Sequence, residues 1–127
     1  MFTFEKFEKN KGGKSGAGPR ISLRKSGSIG INGKGIKELF NDEKYVTLYY
    51  DKENNMVGIK PERKDSKGTY TLQRRNQSGH GGSISATAFM REYDLIPYKT
   101  KQYKAQWNES QGMIVANVSD PVITYDN

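Results

Sequence analysis

The chain writes one structural plan twice. Residues 21–60 and 70–118 each read as strand, basic glycine turn, strand, short helix, strand, turn, strand. Leu23 corresponds to Leu72, Arg24-Lys25 to Arg74-Arg75, Ser28-Ile29 to Ser83-Ile84, Tyr50-Asp51 to Trp107-Asn108, and Met56-Val57 to Met113-Ile114. Insertions between the copies fall in the turns, where extra length costs little closure entropy. A unit of about 45 residues buries too little apolar surface to stand alone, so the copies are expected to share one core. The expected fold class is a β-rich α+β domain: two ββαββ repeats forming a small pseudo-twofold antiparallel barrel or curved sheet.

The periods within each copy are legible. Ile21 and Leu23 alternate with Ser22 and Arg24, Ile29 and Ile31 with Ser28 and Gly30, and Ser26-Gly27 suits a tight hairpin between them. Asn32 is placed to cap a short helix whose apolar face is Ile36, Leu39 and Phe40, ended by Asn41-Asp42. Val46, Leu48 and Tyr50 then face inward and Tyr45, Thr47 and Tyr49 outward; residues 51–55 turn the chain, Met56–Ile59 returns, and Pro61 is expected to stop that strand. In the second copy Tyr70 and Leu72, then Ile84 and Ala86, repeat the hairpin around a longer turn. A helix around 86–93 buries Phe89, Met90 and Tyr93. Tyr103, Ala105 and Trp107 make the next inward face, followed by Ile114, Ala116 and Val118.

Composition bounds the rest. The 127 residues suit one domain, and 33% hydrophobic residues with a mean hydropathy of −0.88 imply a thin core. The absence of cysteine excludes disulfides, thiolate chemistry and cysteine-based zinc sites. No apolar run is long enough to cross a bilayer as a helix, and Met1 is followed by FTFEKFEK rather than an apolar signal core, so a soluble, cytoplasmic protein without membrane contact is expected. The formal charge of +7 is concentrated at the front: residues 1–37 hold nine Lys or Arg against Glu5 and Glu8, and the remainder balances. Residues 1–19 therefore read as a basic arm, 20–118 as the domain with a polar linker at 61–69, and 119–127 as a tail to which Val122, Ile123 and Tyr125 offer a further strand.

Catalytic chemistry has little to work with. His80 is the single histidine and stands in a glycine loop, and the carboxylate pairs Asp42-Glu43, Asp51-Glu53 and Glu92-Asp94 fall at helix ends and turns, where capping and solvation account for them. No catalytic residue, metal ligand or cofactor is assigned, and an enzyme is not expected. The basic residues are more informative. Arg24-Lys25 and Arg74-Arg75 occupy matching points of the two copies, with Lys34 and Lys37 near the first pair; Lys9, Lys11, Lys14 and Arg20 precede it. A doubled cationic site joined to a basic arm suits a phosphate backbone. The competing reading is protection of strand edges by charge. Tyr45 and Tyr49, opposite the core, suit base stacking but equally packing under the helix.

Over residues 21–118 this plan resembles the AbrB-type swapped-hairpin domains, and its duplication resembles the MraZ variant. That resemblance implies two interlocked units in a small β-barrel that binds DNA through basic residues of the first hairpin, a role in transcription regulation. The chain departs from the pattern at Lys25-Ser26-Gly27-Ser28, where an acidic residue and an arginine usually flank the glycine, and at Gly33, where the helix usually begins with proline; only Lys37 matches the basic residue of the helix. The segments GSIGINGKGIKELF and GGSISATAFMREY also resemble the last strand and helix of the Whirly and positive-cofactor families, which bind single strands. The expected function is non-catalytic nucleic-acid binding, of DNA before RNA, with homo-oligomerisation open. The alternatives are a protein that binds or sequesters a small anionic nucleotide, held by glycine-turn N–H groups, and a structural interaction module.

Overall fold

Ser26-Gly27 makes the first hairpin for a backbone reason: Gly27 takes φ 92, a left-handed conformation that costs glycine nothing, and its N–H reaches the Arg24 carbonyl at 2.9 Å. A computed structural model describes residues 18–74 and 81–125. The hairpin joins β1 (Arg20–Leu23) to β2 (Ser28–Ile31), and α1 (Gly33–Leu39), β3 (Tyr45–Asp51) and β4 (Met56–Glu62) follow. The second half supplies β5 (Tyr70–Arg74), β6 (Gly82–Ser85), α2 (Thr87–Glu92), β7 (Lys101–Lys104), β8 (Gln106–Asn108), β9 (Met113–Asn117) and β10 (Ile123–Thr124).

All strand pairs are antiparallel, in the order β10-β7-β1-β2-β6-β5-β3-β4-β9-β8. The result is two antiparallel sheets with two short helices, β5 taking part in both. The strands do not close into a barrel. Residues 101–108 serve both sheets because the strand breaks at Ala105: β7 lies on β1 and β8 on β9, leaving β10 and β8 at the ends of the series. Alternation sends Ile21, Leu23, Ile29, Ile31, Val46, Val57, Ile59, Leu72, Ile84 and Ile114 into one core, capped by Phe40, Phe89 and Met90. Each such aliphatic side chain contributes about 1.5–3 kcal/mol by burial.

Two local expectations need correction. Pro61 does not end its strand; β4 continues to Glu62 with Pro61 opposite Val46. The missing N–H is tolerated because β9 reaches only as far as Ile59 on the other side of β4. Trp107 is 39% exposed rather than buried, since β8 is an edge strand of three residues and nothing described flanks it beyond β9. The further strand offered within 119–127 forms at Ile123–Thr124: β10 pairs with β7, and the N–H groups of Val122 and Tyr125 bond the carbonyls of Gln102 and Thr100.

Asn32 ties the parts together. Its Oδ1 accepts from the Gly35 N–H, capping α1, and from the Arg20 N–H, both at 2.9 Å, while its Nδ2 donates to the Gly18 carbonyl at 3.0 Å. One side chain thus fixes the helix start, the first strand and the segment leading into it. Asn32→Ala is expected to lose about 2 kcal/mol, the upper range for a helix cap, because the half-buried Arg20 N–H loses its partner as well. Urea denaturation measures this; a loss under about 0.5 kcal/mol would show that water replaces all three bonds.

Candidate nucleic-acid interface

The alternation that buries Ile21, Leu23, Ile29, Ile31, Ile84 and Tyr103 turns the residues between them outward. The outer face of the first sheet therefore carries Arg20 and Ser22 from β1, Ser28 and Gly30 from β2, Ser83 and Ser85 from β6, and Gln102 and Lys104 from β7. Its strands, β10, β7, β1, β2, β6 and β5, contain no Asp or Glu at all. The second sheet differs, with Asp51 at the end of β3 and Glu62 at the end of β4.

Pairing concentrates positive charge at one side of this face. Arg20 stands directly opposite Lys104, and Ser22 lies between Gln102 and Gly30. Arg20 Nη1 donates to Gln102 Oε1 at 2.6 Å. Arg24 follows β1 and reaches across β2: its Nη1 donates to Ser28 Oγ at 3.1 Å and to Ser83 Oγ at 3.0 Å. A cleft of about 500 Å³ opens here, lined among others by Ser22, Arg24, Gly30, Asn32, Gln102 and Tyr125. None of Arg20, Arg24, Lys25 or Lys104 is ion-paired with a described carboxylate.

The other basic residues are placed differently. Lys25 is exposed in the hairpin turn, its N–H donating to Thr100 Oγ1 at 3.3 Å. Lys34 is exposed on α1 and paired with Glu38 at 3.4 Å, one helical turn on; Lys37 is exposed on the same helix. Arg74 Nη2 donates to the Glu43 carbonyl at 2.7 Å, and its guanidinium lies 5.8 Å from the centre of the Phe40 ring. Arg24 and Arg74 are therefore not equivalent. Leu23 faces Ile29 and Leu72 faces Ile84, so Gln73, not Arg74, follows the second buried leucine as Arg24 follows the first. A one-residue offset turns a strand side chain to the other face. Lys9, Lys11, Lys14, Arg75 and His80 lie outside the described residues.

The two tyrosines are apart from the basic cleft. Tyr45 stands opposite Thr71 and Glu62 where the sheets meet, and Tyr49 is 44% exposed on the second sheet. A groove of about 570 Å³ beside Tyr49 is lined by Met56, Gly58, Met113, Val115 and the amides of Asn108 and Asn117. Asp51 at its rim accepts from Asn54 Nδ2 at 2.8 Å and from the Asn54 N–H at 3.2 Å. These bonds, the side-chain one first, hold its carboxyl below the usual carboxylate range. On the inner side, burial alone pushes the Tyr103 phenol up, so it stays neutral against Ile21.

Sequence reading missed Gln102, Lys104 and Ser83. The K-Q-Y-K pattern of β7, with Tyr103 as its inward residue, was the available signal for the first two. Nothing local signals that Ser83 would anchor Arg24, because β2 and β6 are joined only in three dimensions. Compared with known proteins, the chain matches no family model, no curated protein and no solved structure. Among the described residues no cluster of His, Cys, Asp and Glu is suited to a metal ion, and no helix is long and apolar enough to cross a membrane.

Proposed function

We propose that the chain binds nucleic acid, DNA before RNA, without catalysis, through the outer face of the first sheet. The observation that carries this reading is the acid-free face around Arg20, Arg24 and Lys104, where cations stand without carboxylate partners beside small polar side chains. A polyanion meets no repulsion there and gains counterion release. Lys9, Lys11 and Lys14 precede Gly18 in the sequence, and Asn32 holds Gly18 next to Arg20.

The AbrB-like reading of the fold is part of the proposal. Moving Val46 to Tyr103 and Ile21 to Tyr70 converts the Val46↔Tyr70 pairing into Tyr103↔Ile21, which is itself a pairing of the sheet. Moving Tyr45 to Gln102 and Ser22 to Thr71 does the same for the neighbouring residues. The pairings β2 with β6 and β4 with β9 join like elements of the two halves. These matches support a duplicated, interlocked ββαββ unit with a pseudo-twofold axis. Strict symmetry of the charged site does not follow, since Thr47 stands where that relation puts Lys104.

Salt-titrated binding to a short duplex and to a single strand tests the function. Arg20→Ser and Lys104→Ser are each expected to weaken binding about tenfold at low salt, as loss of a charge-assisted contact implies. Together they make the slope of log affinity against log salt shallower by about two. Lys60→Ser on the second sheet serves as the control. Unchanged affinity in the double variant would overturn the assignment of this face. A second reading, a small anionic nucleotide as ligand, is favoured by the cleft alone, whose roughly 500 Å³ lies within the range of small-ligand pockets. It predicts a melting temperature raised by mononucleotide at defined stoichiometry.

A further inference from the structure

Arg24 is held in a manner unlike that of an ordinary phosphate-binding arginine. Gly30 leaves room for it: a Cβ at this position would stand 2.2 Å from Nη2, 2.7 Å from Cζ and 3.3 Å from Nε. The guanidinium therefore rests directly on the backbone of β2. Its Nη1 is fixed between Ser28 Oγ, two residues back on the same strand, and Ser83 Oγ, whose residue is opposite Gly30 on β6. Three points at the level of the sheet secure the group along the surface, and a side chain with some of the highest rotamer entropy is ordered in advance. The cleft above it is bounded on another side by Tyr125, 41% exposed, which β10 and the bond from its N–H to the Thr100 carbonyl hold in place.

We propose that Arg24 is a stacking platform, and that the cleft over Gly30 takes an unpaired nucleobase. A guanidinium laid flat offers a delocalised planar cation to one face of a base, an arrangement suited to arginine and closed to lysine. Tyr125 offers an aromatic ring from the side. Gln102 gives its Oε1 to Arg20, which leaves its amide N–H groups to meet a base edge, and Ser22 supplies a hydroxyl that donates or accepts. Arg20 and Lys104 lie at the same side of the sheet, where the phosphate of the stacked nucleotide can be neutralised. The shared chemistry is a nucleotide with a free base face, presented by a single-stranded polymer or as a mononucleotide. Bases of an intact duplex are already stacked on their neighbours and cannot enter.

This inference rests on the nucleic-acid reading, and the test separates the two. Binding of the full chain is measured with a short oligothymidine, an abasic oligomer of equal length, the corresponding duplex and thymidine monophosphate, over a range of salt. Wild type is expected to prefer the oligothymidine over the abasic strand by about tenfold, the scale of one base stacked on a side chain. Arg24→Lys keeps the charge and loses the plane; Gly30→Ala keeps Arg24 and displaces its guanidinium. Both are expected to remove the preference for bases, so that each variant binds the oligothymidine and the abasic strand with affinities within about twofold of one another. Thermal melting verifies that each variant is folded. Equal wild-type binding of abasic and base-bearing strands, or a preference that survives in folded Arg24→Lys, would overturn the stacking site and leave phosphate binding standing. No binding to any oligomer would overturn both readings. Saturable binding of thymidine monophosphate at least as tight as that of the oligomer would keep the stacking site and make the free nucleotide its ligand.

Discussion

A fragment ending at Glu62 is expected to yield no folded monomer. Every strand of the first half has a neighbour in the second: β1 lies on β7, β2 on β6, β3 on β5 and β4 on β9. The cut also removes Leu72, Ile84, Phe89, Met90, Tyr103 and Ile114 from the shared core. Native domains retain only about 5–15 kcal/mol in total, and the loss of six large buried side chains at roughly 1.5–3 kcal/mol each exhausts it. The exposed edges of β1, β2, β3 and β4 then offer unpaired N–H and C=O groups to other chains. Size-exclusion chromatography with circular dichroism should show an unfolded or self-associated species, a dimer if the two halves are equivalent enough to replace one another. A monomer that melts cooperatively would refute the shared core.

What the sequence disclosed and what it withheld follow from the range of the interactions. The hairpin at Ser26-Gly27, the cap at Asn32 and the burial of Phe89 and Met90 are set by residues within one turn of one another, and they stand where local pattern puts them. Long-range pairing has no such local signature. The order β7-β1-β2-β6-β5-β3 is dictated by which apolar faces fit together, and it alone brings Lys104 opposite Arg20 and Ser83 under Arg24. The same distinction explains the arginine pairs. Their likeness as dipeptides suggested equal roles, but the position relative to Leu23 and Leu72 decides the face: Arg24 goes to the outer surface and Arg74 to the Phe40 ring and the Glu43 carbonyl. Tyr49 likewise was legible as outward-facing, yet the sheet to which β3 belongs separates it from the basic cleft by several strands.

Gly81→Ala is expected to be among the most damaging single substitutions in the chain. A Cβ on Gly81 would sit 1.8 Å from the Ile31 carbonyl oxygen and 2.9 Å from the carbonyl carbons of Ile31 and Asn32. Those atoms are backbone, at the end of β2 and at the cap of α1, so no rotamer change relieves the clash. Relief requires β6 to withdraw from β2, which breaks the Ile31↔Gly82 pairing, or the helix cap to move, which disturbs the bonds of Asn32 to Arg20, Gly18 and Gly35. Overpacking of a rigid site costs up to about 3 kcal/mol, corresponding to a fall of roughly 10 °C in the melting temperature of a domain this size. Gly30→Ala is the informative contrast. Its Cβ meets only the far end of the Arg24 side chain, which can swing away, so the melting temperature is expected to change little while the cleft loses its platform. If Gly81→Ala melted within about 2 °C of wild type, the close approach of Gly81 to β2 would be refuted. Because Gly81 and Asn32 also line the cleft, losing that approach would remove the binding face together with the fold, whereas Gly30→Ala separates the two.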